Sequence, residues 1–132
     1  NIHASIGISQ FKKRKKFFKK RQNLAMFYDQ LLADSEIVDF FNRDYDQIVP
    51  HIYPVKLNKK INKINFLNYL KDNKIQFGIH YKPNHKLSFF KSGYDLPNTE
   101  ELYSRLLSLP LHTLLRNNDL RYIISVINHY KN

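Results

Sequence analysis

Residues 75–82 alternate strictly. Ile75, Phe77, Ile79 and Tyr81 fall on one side, and Gln76, Gly78, His80 and Lys82 on the other. A period of two over this length predicts a strand with one buried face. The turn pair Pro83 and Asn84 ends it, so His80, Tyr81 and His85 are expected where sheet gives way to loop. Side chains placed there are held rigidly and remain exposed.

Other stretches carry the helical period. Phe11, Phe18, Ala25 and Leu32 recur every seven residues, and Phe17, Leu24, Tyr28 and Leu31 adjoin them. This stripe predicts one long helix over residues 1–33. Striped on one side only, such a helix needs a partner surface, from another domain or another subunit. Residues 37–41 read as a short strand or an extended segment, and 42–47 as loop. Tyr53, Val55 and Leu57 alternate, which predicts a strand over 51–57. Pro54 cannot donate to a ladder and favours an edge strand or a bulge.

Ile61, Ile64, Leu67 and Leu70 predict an amphipathic helix over 60–73. A helical turn is expected over 85–91, closed by Ser92 and Gly93. Asn98 and Glu101 have capping-box spacing, for a helix running to about residue 108. Residues 109–112 read as extended. Asn117 or Asn118 caps a last helix carrying Leu120, Ile123, Ile124 and Ile127. The fold class is therefore α+β: a long N-terminal helix, then a small, mainly antiparallel sheet packed with helices on one side.

Composition narrows the classes. A chain of 132 residues is one domain or a piece of a larger one, and 42% hydrophobic residues suffice for a core. No apolar run of about 18 residues occurs, so no membrane span is expected. The absence of Cys excludes disulfides, thiolate metal sites and a cysteine nucleophile, and is compatible with the cytosol. No secretory signal is visible. The chain begins with Asn1 and its single Met is Met26, so upstream sequence is expected.

The net charge of +11 is concentrated. Eight of the 22 basic residues lie within residues 11–21, and the remainder of the chain holds 14 against 11 acidic residues. With Phe11, Phe17 and Phe18 this cluster has the ingredients of a nucleic-acid footprint, cations for phosphate and rings for stacking. The helical phasing instead assigns those rings to the apolar stripe and the lysines to its solvated face.

Candidate chemistry rests on histidine. The six are His3, His51, His80, His85, His112 and His129, and none forms a closely spaced ligand pair of the zinc-site kind. No metal site is expected. Only three Gly occur, so there is no phosphate-cradling loop and no dinucleotide fingerprint. His80, Tyr81 and His85 fit either a satisfied polar cluster or a site donating to sugar hydroxyls and phosphate oxygens. Their spacing selects no reaction.

Five segments in order resemble one family. Asn1-Ile2-His3-Ala4-Ser5-Ile6-Gly7-Ile8-Ser9-Gln10-Phe11 resembles the N-I-x-A-A-x-G-x-x-Q-L segment of the DegT/DnrJ/EryC1/StrS sugar aminotransferases. Lys20, Arg21, Tyr28, Leu31 and Leu32 follow that family's next helix. His51-Ile52-Tyr53 resembles its h-x-y strand. The segment from Gly78 to His85 resembles its G-I-x-x-x-x-x-P-x-H. Ser108-Leu109-Pro110-Leu111-His112 matches its S-L-P-L-H.

The resemblance implies a fold-type I enzyme dependent on pyridoxal phosphate, cytoplasmic and homodimeric, that passes an amino group from glutamate to a keto sugar on a nucleotide. It implies a connecting helix over 1–35 and the small C-terminal α+β domain over 36–132. The Schiff-base lysine, the pyridinium partner and most of the phosphate cradle would lie upstream of Asn1. No catalytic or cofactor-binding residue is therefore expected in this chain, which alone should be inactive. His80, Tyr81, His85 and His112 would line the sugar-nucleotide side of the cleft. The other expectations are a basic nucleic-acid-binding module using residues 11–21, or a decayed, non-catalytic fragment.

Overall fold

In the computed structural model, which describes residues 2–90 and 93–131, the sheet is built around β2 (Tyr53–Leu57). Tyr53, Val55 and Leu57 are fully buried on one face, as their alternation predicts. β1 (Val38–Phe40) and β3 (Leu106–Leu109) flank it, both antiparallel. The registers are Val38↔Leu57 on one side and Tyr53↔Leu109 on the other.

Pro54 thus sits in the central strand, not in an edge strand or a bulge. The geometry explains its tolerance. Pairing with β1 stops at Phe40↔Val55, so Pro54 lies one residue past the end of that neighbour. Its carbonyl accepts from Arg43 Nη2 at 2.7 Å instead of from a strand. A missing N–H on that side interrupts no ladder.

Residues 1–33 were expected as one helix. Two are found, α1 (Ile2–Lys12) and α2 (Arg14–Leu32), with a tight turn at Lys13 whose N–H reaches Gln10 O at 3.0 Å. The break falls inside the run Lys12, Lys13, Arg14, Lys15 and Lys16. Like charges at i,i+3 and i,i+4 repel there, and no acidic residue intervenes. Only the second half of the stripe is buried. Leu24, Ala25, Tyr28 and Leu32 are in the core, whereas Phe11 and Phe18 are exposed.

The remaining helices are α3 (Lys63–Asp72), α4 (Pro97–Arg105) and α5 (Asn117–Asn128). α5 buries Leu120, Ile123, Ile124 and Ile127 as its period predicts, and it packs on α2. Its cap differs from expectation: Arg116 occupies that position, and the Asp119 carboxylate accepts the Arg116 N–H at 2.7 Å. α3 begins after Asn62, whose side chain accepts from Asn65 N at 3.1 Å. It buries Phe66 and Leu70 but leaves Ile64 72% exposed, so the inward face runs i,i+4 and not in steps of three. Phe66 meets Tyr130 edge-to-face beyond α5, with ring centroids 5.0 Å apart.

α4 starts at Pro97, pre-set for the first helical turn, and has no Asn98 capping box. It ends at Arg105, three residues short of expectation, because residues 106–109 are taken by β3. Between α3 and α4 the chain makes two short 3₁₀ turns, Asn84–Lys86 and Ser88–Phe90. The expected end of this turn at Lys91 and Ser92 lies outside the described residues.

The predicted strand over 75–82 is reduced to one bridge. Gly78 N donates to Ser108 O at 2.9 Å and Ser108 N to Gly78 O at 2.8 Å. Ile75 is buried, but Ile79 is 39% and Tyr81 72% exposed. Beyond Gly78 the segment leaves the edge of β3, so the alternation has no core to face.

Candidate functional site

α2 fixes one wall of the site from beneath. Arg21 Nη1 donates to His51 O at 2.9 Å and to Leu111 O at 3.1 Å. Tyr28 Oη donates to Pro110 O at 3.0 Å. The segments preceding β2 and following β3 are thereby clamped to one helix, and β2–β3 pairing already brings them together. Tyr28 also stacks on Tyr53 at 4.6 Å. Burial, and then the Asp119 charge, push the Tyr28 hydroxyl far above its ordinary range, so it stays a donor.

A partly buried polar cluster braces the same corner. Asp29 on α2 accepts from Tyr45 Oη and Tyr53 Oη, each at 2.5 Å, and from Arg43 Nη1 at 3.2 Å. Arg43 lies over the Tyr53 ring, 4.4 Å from its centroid. Burial and the bond to Asp29 raise both tyrosines, so they too remain protonated.

The clamp opens a cleft of about 290 Å³ lined by His51, Gln76, His80, Ser108 and His112. His80 is oriented from below, its Nδ1 lying 3.0 Å from the hydroxyl of buried Ser108. The Ser108 hydroxyl thus engages one of the two ring nitrogens. No lysine or carboxylate lines it.

A second depression, about 800 Å³, is lined by Lys82, His85, Lys86, Phe89, Phe90 and Tyr94. Glu100 on α4 accepts from His85 Nε2 at 3.0 Å and from Lys86 Nζ at 2.9 Å. The bonds from Lys86 and then His85 hold its carboxyl below the usual range.

The expected site residues therefore divide. His80 and His112 share the first cleft, His85 lies in the second, and Tyr81 lines neither, standing exposed between them with its ring 5.0 Å from that of His80. Sequence reasoning passed over His51 and Ser108 as site residues. Ser108 had a signal, as the polar residue inside the apolar run of residues 106–109. His51 becomes visible only through the strand register.

The histidine cleft does not fit pyridoxal phosphate. A Schiff base needs an amine free inside a cavity, and the histidine cleft offers none. Burial depresses the Lys63 amine below its ordinary value, but that amine donates to Tyr103 O at 2.8 Å and faces neither depression. Among the described residues no group of three or more His, Cys, Asp or Glu could hold a metal, and no helix is long and apolar enough to cross a membrane.

Comparison with known proteins gives this geometry a context. An uncharacterized protein of Methanocaldococcus jannaschii is 32% identical over 99% of this chain and 36% of its own length. A UDP-4-amino-4,6-dideoxy-N-acetyl-beta-L-altrosamine transaminase of Campylobacter jejuni is 27% identical, over 93% of this chain and 34% of its own. The crystal structure of AtS13 from Actinomadura melliaura superposes with a TM-score of 0.86 at 22% identity, over 97% of this chain and 34% of that one. The chain thus spans about a third of the length of the curated relatives it matches. The model of the DegT/DnrJ/EryC1/StrS aminotransferase family matches residues 1–128, and the chain belongs to that family.

Proposed function

We propose that this chain is the C-terminal part of a pyridoxal-phosphate-dependent, homodimeric, cytoplasmic aminotransferase. Its reaction moves an amino group from glutamate to a keto-deoxysugar carried on a nucleotide, in polysaccharide or deoxysugar synthesis. Family membership supports the transaminase chemistry, and the name of the Campylobacter relative supports a nucleotide-linked sugar. Residues 1–35 are the connector from a large domain, and 36–132 the small domain.

The observation that carries the reading is the cleft of His51, His80, Ser108 and His112. That cleft offers hydrogen-bonding groups with no lysine or carboxylate among them, and its volume suits a sugar ring more than a whole nucleotide sugar. In this reading His80 and His112 hold sugar hydroxyls, with Tyr81 and His85 on the nucleotide side. The cofactor and its lysine belong to sequence upstream, so this chain binds and orients but moves no amino group alone.

Sequencing upstream of Asn1 is the first test. An open frame carrying the lysine-bearing domain supports the proposal, and an immediate stop favours a decayed fragment. The longer protein is then assayed with glutamate and a nucleotide-linked keto sugar. Substitution of His80 by Ala is expected to raise KM for the sugar about tenfold, with the half-reaction of glutamate unchanged. An unchanged KM would overturn the site.

A further inference from the structure

The first acidic residue of the chain is Asp29, and residues 12–21 place eight cations ahead of it. Lys12, Lys13, Lys15, Lys16 and Lys19 are exposed. Among the described residues no carboxylate pairs with any of them or with Lys20. The two arginines of the cluster differ, since Arg14 donates to Phe11 O and Arg21 to His51 O and Leu111 O. Like charges three and four residues apart repel, so the lysines cost the helix stability. A chain of phosphates laid along them would relieve that repulsion.

Three of these lysines surround a hollow. A groove of about 600 Å³ beside the first half of α2 is lined by Lys16, Phe17, Lys19, Lys20, Thr113 and Leu114. Phe17 is half-buried, Leu114 is 84% exposed, and no carboxylate lines the groove. Cations fixed on a helix beside an aromatic ring are the parts of a single-strand site, one for the backbone and the other for a base. A duplex keeps its bases stacked and offers such a ring nothing. A lipid surface fits less well, because a helix lying on it needs one apolar face. On α1 Ile2 and Ile6 fall on the side opposite Ile8 and Phe11 at the helical period, and the apolar face of α2, with Leu24, Tyr28 and Leu32, is already in the core. We propose that this groove binds single-stranded nucleic acid, with Lys16, Lys19 and Lys20 on the phosphates and one base against Phe17 and Leu114. The site is separate from the histidine cleft and does not depend on the transaminase reading.

Labelled oligodeoxythymidine and a duplex of equal length are titrated into the 132-residue chain at several salt concentrations, with fluorescence anisotropy as the readout. The single strand should bind more tightly, with log affinity falling against log salt at a slope of about −2 for three phosphates. Lys16→Gln combined with Lys19→Gln should flatten that slope by about 1.4. Phe17→Leu keeps an apolar side chain and removes the ring, and should weaken the single strand about tenfold at unchanged slope. The charge-matched pair Lys59→Gln and Lys131→Gln, both at exposed positions, should leave affinity and slope nearly unchanged. Cooperative urea transitions show that each variant folds. Equal affinity for strand and duplex, or indifference to Phe17→Leu, would reduce the contact to charge alone and overturn the site. Capture by phosphatidylglycerol vesicles without oligonucleotide binding would overturn it in favour of a lipid surface. The titration is repeated on the longer protein, where loss of binding would mean that the upstream domain covers the groove and would also overturn the assignment. The sugar KM, which tests the proposed function, is untouched by any of these results.

Discussion

Gly78 lies against the His80 imidazole so closely that a Cβ at position 78 would overlap the ring carbon Cε1. The requirement concerns space and not backbone conformation, since Gly78 has no positive φ. The same residue exchanges both backbone bonds with Ser108, whose hydroxyl meets His80 Nδ1. Gly78 and Ser108 are positioning residues for His80. Gly78→Ala should expel the ring, and Ser108→Ala should release it without moving it. In both variants the NMR shifts of the His80 ring protons should change, and Gly78→Ala should have the larger effect on sugar KM. Unchanged His80 signals in both would show that the ring is held otherwise.

Asp29→Ala tests the brace beneath the cleft. It removes one acceptor from three donors and leaves the Arg43 guanidinium, with its side chain 7% exposed, without its carboxylate. Removing one partner of such a pair costs about 3 kcal/mol. Lys56→Ala breaks an exposed pair with Asp39 and should cost under about 1 kcal/mol. Urea midpoints at constant slope separate the two. Equal losses would mean that Asp29 carries no special load.

What could be read in advance follows from how local each cause is. The inward face of α5 was legible because Leu120, Ile123, Ile124 and Ile127 need only their own period. Tyr53, Val55 and Leu57 were legible for the same reason. The end of α4 was not. Leu102, Leu106 and Leu109 keep helical spacing straight through Arg105, and only pairing with β2 pulls residues 106–109 into a strand. Ile79 and Tyr81 failed in the opposite sense, with the right alternation and no partner beyond Gly78. His80 and His112 were brought into one cleft by register and by Arg21, contacts about 30 and 90 residues apart in sequence, which no window along the chain contains.

Alkaline pH should unfold the chain through its buried tyrosines. Tyr28, Tyr45 and Tyr53 are raised above their ordinary value of 10.0, chiefly by burial. A raised folded value means that the unfolded chain ionises first. The stabilisation is fully present below about pH 10 and is lost as pH rises beyond it. Spectrophotometric titration should show these three of nine tyrosines ionising only with unfolding. Nine tyrosines titrating together near 10 in a folded chain would contradict the packing.

Acid should act locally, on the rim of the second depression. Glu100 is held below its ordinary value of 4.5 by the bonds from Lys86 and His85. A depressed carboxylate contributes above its unfolded value, and that contribution fades as pH falls through the lower folded value. Loosening of residues 84–90 is therefore expected below about pH 4.5, ahead of the buried core. Hydrogen exchange of these amides against those of α5 measures it. Glu100→Gln should loosen them at neutral pH and abolish the acid step.

The isolated chain should self-associate. α1 buries none of its residues, and Ile2, Ile6, Ile8 and Phe11 are all more than half exposed. Continuous with them, Phe18 and Leu114 are exposed beside Phe17. A run of apolar side chains of this kind exceeds what a monomer normally presents to water. The eight cations around it oppose close approach, so salt should promote association by screening them. Light scattering on dilution, at low and high salt, should show a concentration-dependent mass that rises with salt. Ile6→Lys combined with Phe11→Lys should abolish it without shifting the urea midpoint, because neither side chain belongs to the core. A stable monomer at every salt concentration would mean that the exposed stripe needs no partner.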